Sequence, residues 1–268
     1  MRWVGGKRFL TSRILSLLPP DANERRYFEP FVGAASLFFA LRPRQAILSD
    51  LNRHLIECYR FIRNDHRKVS SLLRRLAADN SKSHYYRVRG TYNRSDFSAV
   101  QAARFIYLNR TCFNGVFRVN REGAFNVPFG DKPRPIFPAE PELASISKAL
   151  KKARLRAGDY AAALRSAKSG DLVYLDPPYP PLNGTSYFTH YTADRFSLRE
   201  QERLAAVFNS LNRHGCILVM TNADLPLVRR LYRDYSITEI NVPRYVTCKN
   251  VKHNVGELVI TNYDPVIH

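Results

Sequence analysis

An aspartate, two prolines and a tyrosine follow the apolar run at residues 172–175, in the order Asp176-Pro177-Pro178-Tyr179. Proline fixes φ and donates no ladder hydrogen bond, so the chain must leave a strand here in a rigid turn. The Asp176 carboxylate and the peptide carbonyls then face outward as hydrogen-bond acceptors, and Tyr179 adds a flat ring beside them. Acceptors beside a ring predict a site for a planar group that bears an exocyclic amine, such as adenine.

A second candidate site lies near the start of the chain, in Phe28-Glu29-Pro30-Phe31-Val32-Gly33-Ala34-Ala35-Ser36. Its small residues allow a ligand to approach the backbone of a strand-to-helix turn. The next apolar run ends in Ser49-Asp50, about where nucleotide-binding folds place a carboxylate that binds ribose hydroxyls. The residues alone fit a tight turn followed by a helix-capping Asp50 equally well.

The charge of the chain is strongly basic, with 42 Lys and Arg against 23 Asp and Glu among 268 residues and a net charge of +19. A soluble protein keeps such an excess mainly when its partner is a polyanion, and nucleic acid is the first candidate. Residues 55–135 contain 16 Lys and Arg against 6 Asp and Glu, so about half of the excess lies there. The alternative is an ordinary solvated basic surface.

Other features exclude several classes of protein. No apolar run reaches the ~18 residues of a membrane span, and the first residues do not have the pattern of a signal peptide. Cys58, Cys112, Cys216 and Cys248 form no CxxC pair, which argues against a disulfide framework and a structural zinc site. We therefore expect a monomeric protein of the reducing cytoplasm, with no metal and no membrane association.

The order of apolar patterns predicts an α/β fold. Strands are expected at residues 27–31, 46–50, 153–160, 171–176, 216–221, 236–242 and 257–263, and helices at 34–41, 197–212 and 223–232. Residues 52–149 instead have helical spacing and a polar, basic composition. We therefore expect a catalytic and cofactor-binding domain from residues 1–54 and 150–268, with a helical target-recognition domain inserted at 55–149.

The residues match a known family along nearly the whole chain. The sequence resembles the Dam-type N6-adenine DNA methyltransferases, which use S-adenosylmethionine. The matching segments are Trp3-Val4-Gly5-Gly6-Lys7, Phe28-Glu29-Pro30-Phe31-Val32-Gly33, Ser49-Asp50-Leu51-Asn52, Leu108-Asn109-Arg110, Phe113-Asn114-Gly115, Phe125-Asn126-Val127-Pro128-Phe129-Gly130, Asp176-Pro177-Pro178-Tyr179, Phe188-Thr189, Phe196-Ser197-Leu198 and Gly256-Glu257-Leu258. One difference is Ala35, where the family usually has a second glycine.

The resemblance implies a Rossmann-like methyltransferase sheet with a helical DNA-recognition insertion, and a role for each matched position. The implied catalytic residues are Asp176, Pro177, Pro178 and Tyr179. The implied cofactor-binding residues are Trp3, Lys7, Glu29, Phe31, Gly33, Asp50 and Asp176. The implied DNA-binding residues are Arg110, Phe113, Asn114, Val116, Arg118 and Asn126. Asp176 and the Pro177 carbonyl would accept hydrogen bonds from the amine of an adenine flipped out of duplex DNA.

Within the recognition segment, the resemblance places Phe113 where the family inserts an aromatic ring into the base stack. It places Arg118 where the family reads a guanine, and it suggests GATC as the target. Alternatively, Phe113 and Phe117 are core residues and Arg118 contacts phosphate.

Three other functions fit part of the sequence. The first is adenine methylation in another DNA sequence or in RNA, which would use the same acceptor turn. The second is a non-catalytic nucleic-acid-binding protein, which would need neither Asp50 nor Asp176. The third is methylation of a protein amide, which would leave the basic insertion unexplained. The resemblance leaves open whether a restriction endonuclease accompanies the protein.

Overall fold

The computed structural model describes residues 10–179, 196–240 and 256–265. In these residues the strands are β1 (Arg26–Glu29), β2 (Gln45–Asp50), β3 (Ala153–Ala157), β4 (Leu172–Leu175), β5 (Ile217–Ala223), β6 (Ser236–Ile240) and β7 (Glu257–Thr261). The helices are α1 (Thr11–Ser16), α2 (Ser36–Leu41), α3 (Arg53–Ala77), α4 (Lys82–Tyr92), α5 (Ala99–Thr111), α6 (Glu140–Leu150), α7 (Tyr160–Leu164), α8 (Leu198–Arg213) and α9 (Pro226–Leu231).

The strands form one sheet in the order β3-β2-β1-β4-β5-β7-β6. Strands β1 to β5 are parallel, whereas β7 runs antiparallel to both β5 and β6. The strand order reverses between β1 and β4, and in open α/β sheets ligands bind outside the carboxyl ends of the strands at such a point. The predicted α/β, Rossmann-like sheet is confirmed.

Alternation along each strand places side chains on the two faces of the sheet. In β4, Leu172 and Tyr174 belong to one apolar cluster, and Val173 and Leu175 belong to the other. The first cluster includes residues of helices α1 to α6, and the second includes residues of α7, α8 and α9. The sheet is therefore the middle layer of three.

The helical segment between β2 and β3 shares its core with the sheet. Leu48 of β2 and Ile106 of α5 lie in the same buried cluster, and α3 packs against α5, α6, β2 and β3. Helix α3 bends at Asp65, which has non-helical dihedral angles and accepts a hydrogen bond from the Lys68 amide. Two arginines of α3 donate to carbonyls of the edge strand β3, Arg60 to Leu155 and Arg63 to Ala153. These bonds satisfy backbone acceptors that an edge strand would otherwise expose.

Most predicted elements agree with the structure to within two residues, and two boundaries differ by three. The helix expected from residue 223 begins at Pro226, because Ala223 still belongs to β5. The strand expected at residues 153–160 ends at Ala157, and Tyr160 begins helix α7. Gly158 has a φ of 142°, and the Asp159 side chain accepts hydrogen bonds from the Ala161 and Ala162 amides. Strand pairing therefore stops where a side chain caps the first turn of a helix.

Candidate functional site

Asp50, at the carboxyl end of β2, is held by two backbone amides. The Gly33 amide donates to Oδ2 at 3.0 Å and the Asn52 amide to Oδ1 at 2.9 Å. Gly33 has a φ of 44°, a left-handed conformation that suits glycine. The capping explanation of Asp50 is wrong, because Asn52 is the residue that caps α3, by accepting from the Leu55 amide. Burial raises the pKa of Asp50, and the two amides oppose that effect.

Glu29 is a buried carboxyl group at the end of the neighbouring strand β1, with 3% of its surface exposed. Its Oε2 accepts a hydrogen bond from the Tyr27 hydroxyl at 2.9 Å. Burial raises the pKa of Glu29 to about 8, and the negative charge of Asp176 acts in the same direction, whereas the Tyr27 hydrogen bond lowers it. Glu29 and Asp176 are therefore electrostatically coupled across the point where the strand order reverses.

Asp176 follows β4 directly and its carboxylate is held from β5. The Thr221 hydroxyl donates to Asp176 Oδ1 at 2.8 Å, and the same hydroxyl lies 3.1 Å from that of Tyr174. Both strands are parallel and Leu175 pairs with Met220, so the next residue of each strand is Asp176 and Thr221. The register of the sheet thus brings these two side chains together.

The rest of the acceptor turn is anchored to α8 and β7. The Pro178 carbonyl accepts a hydrogen bond from Gln201 Nε2 at 3.2 Å, and the Tyr179 hydroxyl donates to Glu257 Oε1. Glu257 pairs with Ala223 in the antiparallel ladder, so the first residue of β7 lies at the same edge of the sheet as the last residue of β5. Burial raises the pKa of Tyr179, and the charges of Asp176 and Glu257 add to the increase.

Two aromatic residues that the sequence analysis did not assign to the site lie beside Phe31. The Phe31 ring is 5.1 Å from Tyr160 and 5.7 Å from Phe196, centroid to centroid. Tyr160 begins α7, just after β3, which pairs with β2 up to Asp50. The three rings form an apolar wall next to Asp50's strand. The signal that could have identified Tyr160 is its position: it follows Gly158 and Asp159, directly after strand β3.

The predicted recognition segment forms a tight loop after α5. Phe113 is 54% exposed, and Asn114 and Gly115 have φ values of 54° and 67°. The Phe113 amide donates to the Pro128 carbonyl at 2.9 Å, and Gly130 lies against the backbone of residues 112 and 113. Phe117 is different: its ring packs on Phe105 and Phe125. The core explanation therefore applies to Phe117 and is wrong for Phe113.

Arg118 and Asn126 are brought together by a short hairpin. The side chains meet in a hydrogen bond from Arg118 Nε to Asn126 Oδ1 at 2.7 Å. The backbones also pair, since the main-chain amide of Asn126 donates to the Arg118 carbonyl at 3.1 Å. Val116 is half-buried, just ahead of this hairpin. Arg110, at the end of α5, lines an open surface cavity of about 450 Å³ together with Lys132, Pro133, Arg134, Pro135 and Ile136.

His54 connects the two halves of the site. It lies four residues after Asp50, its ring is 5.5 Å from that of Phe117, and its Nδ1 is 2.7 Å from the Tyr92 hydroxyl. Burial and the neighbouring Arg53 lower the pKa of His54. The carboxyl end of β2 and the predicted recognition segment are therefore in direct contact through one side chain.

Trp3 and Lys7, which the resemblance assigns to the cofactor, lie outside the described residues. Thr221 and Gln201 belong to the site although no sequence motif indicated them, and Glu257 lies in a matched segment to which no role was assigned. The polar run Thr221-Asn222-Ala223-Asp224 at the end of an apolar strand was the signal that could have identified β5 as part of the site.

Within residues 10–179, 196–240 and 256–265, no three His, Cys, Asp or Glu side chains are grouped as metal ligands. In the same part of the chain, no helix has both the length and the apolar character needed to cross a bilayer.

Comparison with known proteins agrees with this geometry. The family description that matches residues 3–245 is "D12 class N6 adenine-specific DNA methyltransferase". The chain belongs to this family. The predicted family and the predicted enzyme class, an adenine-specific DNA methyltransferase, are confirmed.

Relatives of this D12-class enzyme match over nearly their full length. The Type II methyltransferase M1.LlaDCHI of Lactococcus lactis subsp. cremoris is 36% identical, covering 98% of this chain and 94% of the relative. The Type II methyltransferase M.MjaIII of Methanocaldococcus jannaschii is 35% identical and covers 98% of each. A DNA adenine methylase of Vibrio cholerae is 31% identical, covering 99% of this chain and 95% of the relative.

Proposed function

We propose that the enzyme transfers the methyl group of S-adenosylmethionine to N6 of an adenine that is flipped out of duplex DNA, in the sequence GATC. The observation that carries the proposal is the placement of Asp176 directly after the carboxyl end of β4, where the Thr221 hydroxyl of β5 donates a hydrogen bond to its carboxylate. Acceptors of this kind lie where an α/β sheet binds its ligands.

The residues around Asp50 fit the proposed cofactor. Each of its two oxygens accepts one backbone amide, and a carboxylate has about four acceptor sites, so it retains capacity for the two hydroxyls of a ribose. The next residue, Leu51, is 67% exposed and offers an apolar surface beside that carboxylate. Glu29, Phe31 and Gly33 complete the proposed site, together with Asp176 and the two residues near the start of the chain, Trp3 and Lys7.

The bound cofactor supplies an electrophilic methyl group on a sulfonium. The adenine amine is a poor nucleophile, because its lone pair is delocalised into the ring. We propose that the Asp176 carboxylate and the Pro177 carbonyl accept hydrogen bonds from the two N6–H groups and hold electron density on that nitrogen. The N–CH₃ bond forms as the S–CH₃ bond breaks to leave a neutral thioether, and N6 then loses one proton. The Tyr179 ring stacks on the base, and the Pro178 peptide keeps the turn rigid. Precise placement of this kind can contribute on the order of 7–11 kcal/mol, so small displacements of Asp176 are costly.

The basic helical segment is proposed to bind the duplex. Flipping a base costs a few kcal/mol, which contacts between arginines and phosphates offset. We propose that the exposed Phe113 inserts into the base stack and that Arg118 reads a guanine, whose O6 and N7 suit a bidentate guanidinium. The proposed DNA-binding set is Arg110, Phe113, Asn114, Val116, Arg118 and Asn126. In this proposal residues 55–149 recognise the target, and residues 1–54 with 150–268 bind the cofactor and catalyse transfer.

The experiment is methyl transfer from radiolabelled S-adenosylmethionine to a panel of duplexes that differ at one base pair within GATC. Incorporation into the GATC duplex alone supports the proposal, and incorporation into another duplex corrects the target. Parallel reactions contain single-stranded RNA or a protein as the acceptor, and label in one of them would favour the corresponding alternative. Asp176→Ala is expected to abolish incorporation without unfolding the protein, whereas the matched control Asp234→Ala, at an exposed position, keeps it. Near-normal turnover by Asp176→Ala would remove this residue from the mechanism.

A further inference from the structure

The side chain of Asp176 has its orientation set by a chain of two buried hydroxyls. A carboxylate accepts and does not donate, so the Thr221 hydroxyl uses its one hydrogen for Asp176 Oδ1, at 2.8 Å. The Tyr174 hydroxyl, 3.1 Å from Thr221, must then be the donor in that pair. The chain runs from Tyr174 to Thr221 to Asp176, and both hydroxyl-bearing residues are buried. It engages Oδ1 and so restricts the rotation of the Asp176 carboxylate.

The backbone of the turn is fixed separately. Gln201, fully buried in α8, donates to the Pro178 carbonyl at 3.2 Å and accepts from Asn222 Nδ2 at 3.3 Å. Asn222 in turn accepts from the Ala223 amide at 2.9 Å. Buried amides satisfied in this way hold a segment tightly, because each broken bond would leave an unpaired polar group. The peptide bond that joins Pro178 to Tyr179 is therefore anchored to β5 through Gln201 of α8.

The ring of Tyr179 is held by a third element. Its hydroxyl donates to Glu257 in strand β7. The Glu257 side chain is buried, with 3% of its surface exposed. A buried charge-bearing side chain is costly to keep in a core, and one that bonds a residue of the acceptor turn has a geometric use. The hydrogen bond fixes the direction of the ring's long axis, which a ring that stacks on a base requires.

We infer that Thr221 and Glu257 are positioning residues for methyl transfer, which set the orientations of Asp176 and Tyr179 on a backbone that Gln201 holds. This inference rests on the proposed function of the acceptor turn. Neither residue is expected to touch the base or the methyl donor. Their effect should therefore appear in the rate of the transfer step, with binding of cofactor and duplex unchanged.

The test compares two pairs of variants under single-turnover conditions, with saturating S-adenosylmethionine and duplex. Thr221→Val and Glu257→Leu remove the hydrogen bonds with little change in side-chain volume, whereas Thr221→Ser and Glu257→Gln keep a group that can make them. We expect the rate constant to fall by about 10- to 100-fold in Thr221→Val and about 10-fold in Glu257→Leu, the size of one hydrogen bond. The Ser and Gln variants should recover most of the rate.

A double-mutant cycle adds a readout that general destabilisation would not produce. In a Tyr179→Phe background, Glu257→Leu should cause no further loss of rate, since the bond it removes is already absent. Dissociation constants for cofactor and duplex, and melting temperatures, report whether a variant is damaged elsewhere. A Val variant that loses rate and binding together, or a Ser variant that is as slow as Val, would overturn the role of Thr221.

Asp176→Ala measured in the same assay separates the two proposals. If it stays active, the proposed function of the acceptor turn fails. If it is inactive while Thr221→Val and Glu257→Leu transfer at the wild-type rate, only the positioning inference fails.

Discussion

Arg118 and Asn126 are joined by a 2.7 Å hydrogen bond from the guanidinium Nε to the side-chain oxygen of the asparagine. A second bond of 3.3 Å runs from the guanidinium to the Asn126 carbonyl. These contacts restrict the rotation of the arginine, because its planar group is bound along one edge. A restricted guanidinium suits a residue that must tell one base from another.

Arg118→Ala is expected to relax discrimination at one base position by about 1–3 kcal/mol, the size of one bidentate base contact. The measurement is kcat/KM on duplexes that carry each of the four base pairs at every position of the target. Arg121→Ala is the matched control, since Arg121 is exposed at the turn of the same hairpin. An equal loss on all duplexes would instead make Arg118 a phosphate contact.

Asn126→Ala should have a smaller effect in the same direction, because it removes the partner that restricts Arg118 rather than the base-reading group. The same kcat/KM series on all duplexes measures it. Unchanged discrimination in Asn126→Ala would mean that the hydrogen bond to Asn126 does not restrict Arg118.

The raised pKa of Glu29 predicts that the stability of the protein depends on pH. Its pKa rises from 4.5 in an open chain to about 8 in the folded protein, so the folded state binds more protons between these values. The contribution of Glu29 to stability is therefore fully present below about pH 4.5 and is lost as the pH rises through about 8. Glu29→Gln keeps an acceptor for Tyr27 and cannot ionise. It should gain stability relative to wild type as the pH rises from 5 to 9, by at most about 4 kcal/mol.

The measurement is urea unfolding of wild type and of Glu29→Gln at pH 5, 7 and 9. The difference between their free energies of unfolding is compared across the three pH values. Glu122→Gln is the control for loss of a negative charge, at an exposed position. A difference between Glu29→Gln and wild type that stays constant with pH would show that the folded protein keeps Glu29 ionised throughout.

Substitution by alanine is expected to have opposite effects on stability at Gly130 and at Gly90. A Cβ at Gly130 would lie 2.5 Å from the Cys112 carbonyl oxygen and 2.9 Å from the Phe113 amide nitrogen, both of them backbone atoms. Gly130→Ala should therefore destabilise the protein by about 1–3 kcal/mol, the cost of overpacking, and displace Phe113. Gly90, inside α4, would meet only the Arg94 side chain at 3.8 Å.

Gly90→Ala should stabilise the protein by about 0.5–1 kcal/mol, since alanine favours a helix more than glycine does. Thermal melts of the two variants check both signs, and duplex binding shows whether the Phe113 loop has moved. If Gly130→Ala melts at the wild-type temperature, the loop adjusts around the new methyl group at no cost in stability.

Asp50→Asn is expected to weaken binding of S-adenosylmethionine at least 10-fold while duplex binding is kept. The amide places a donor where the carboxylate accepts from Gly33 or Asn52, so it disrupts a held acceptor as well as removing its charge. Calorimetry with the cofactor, followed by duplex binding in a salt titration, separates the two effects. Unchanged cofactor affinity would assign the ribose to another residue.

Local patterns were sufficient to predict most elements of the fold. Apolar runs ended by proline or aspartate predicted β1, β2 and β4, because a strand stops where the backbone can no longer pair. They failed at residues 158–160, where an Asp159 cap and a positive φ at Gly158 end β3 early. Such a cap competes with strand pairing over two or three residues, and apolar periodicity does not register it.

The sequence by itself determined the kind of chemistry and the family of the enzyme. Asp176, Pro177 and Tyr179 are adjacent in the chain, and so are Ser49 and Asp50, so their spacing was readable without a fold. The same holds for the recognition segment around Phe113, whose exposure only the structure decided.

Only the tertiary structure decided what holds those residues in place. Thr221 lies 45 residues after Asp176, and Glu257 lies 78 residues after Tyr179. They meet because β5 is parallel to β4 while β7 is antiparallel to β5, which brings the end of one strand and the start of another to the same edge of the sheet. Strand order and register depend on how both faces of the sheet bury their apolar side chains, a property of the whole chain that no short segment contains.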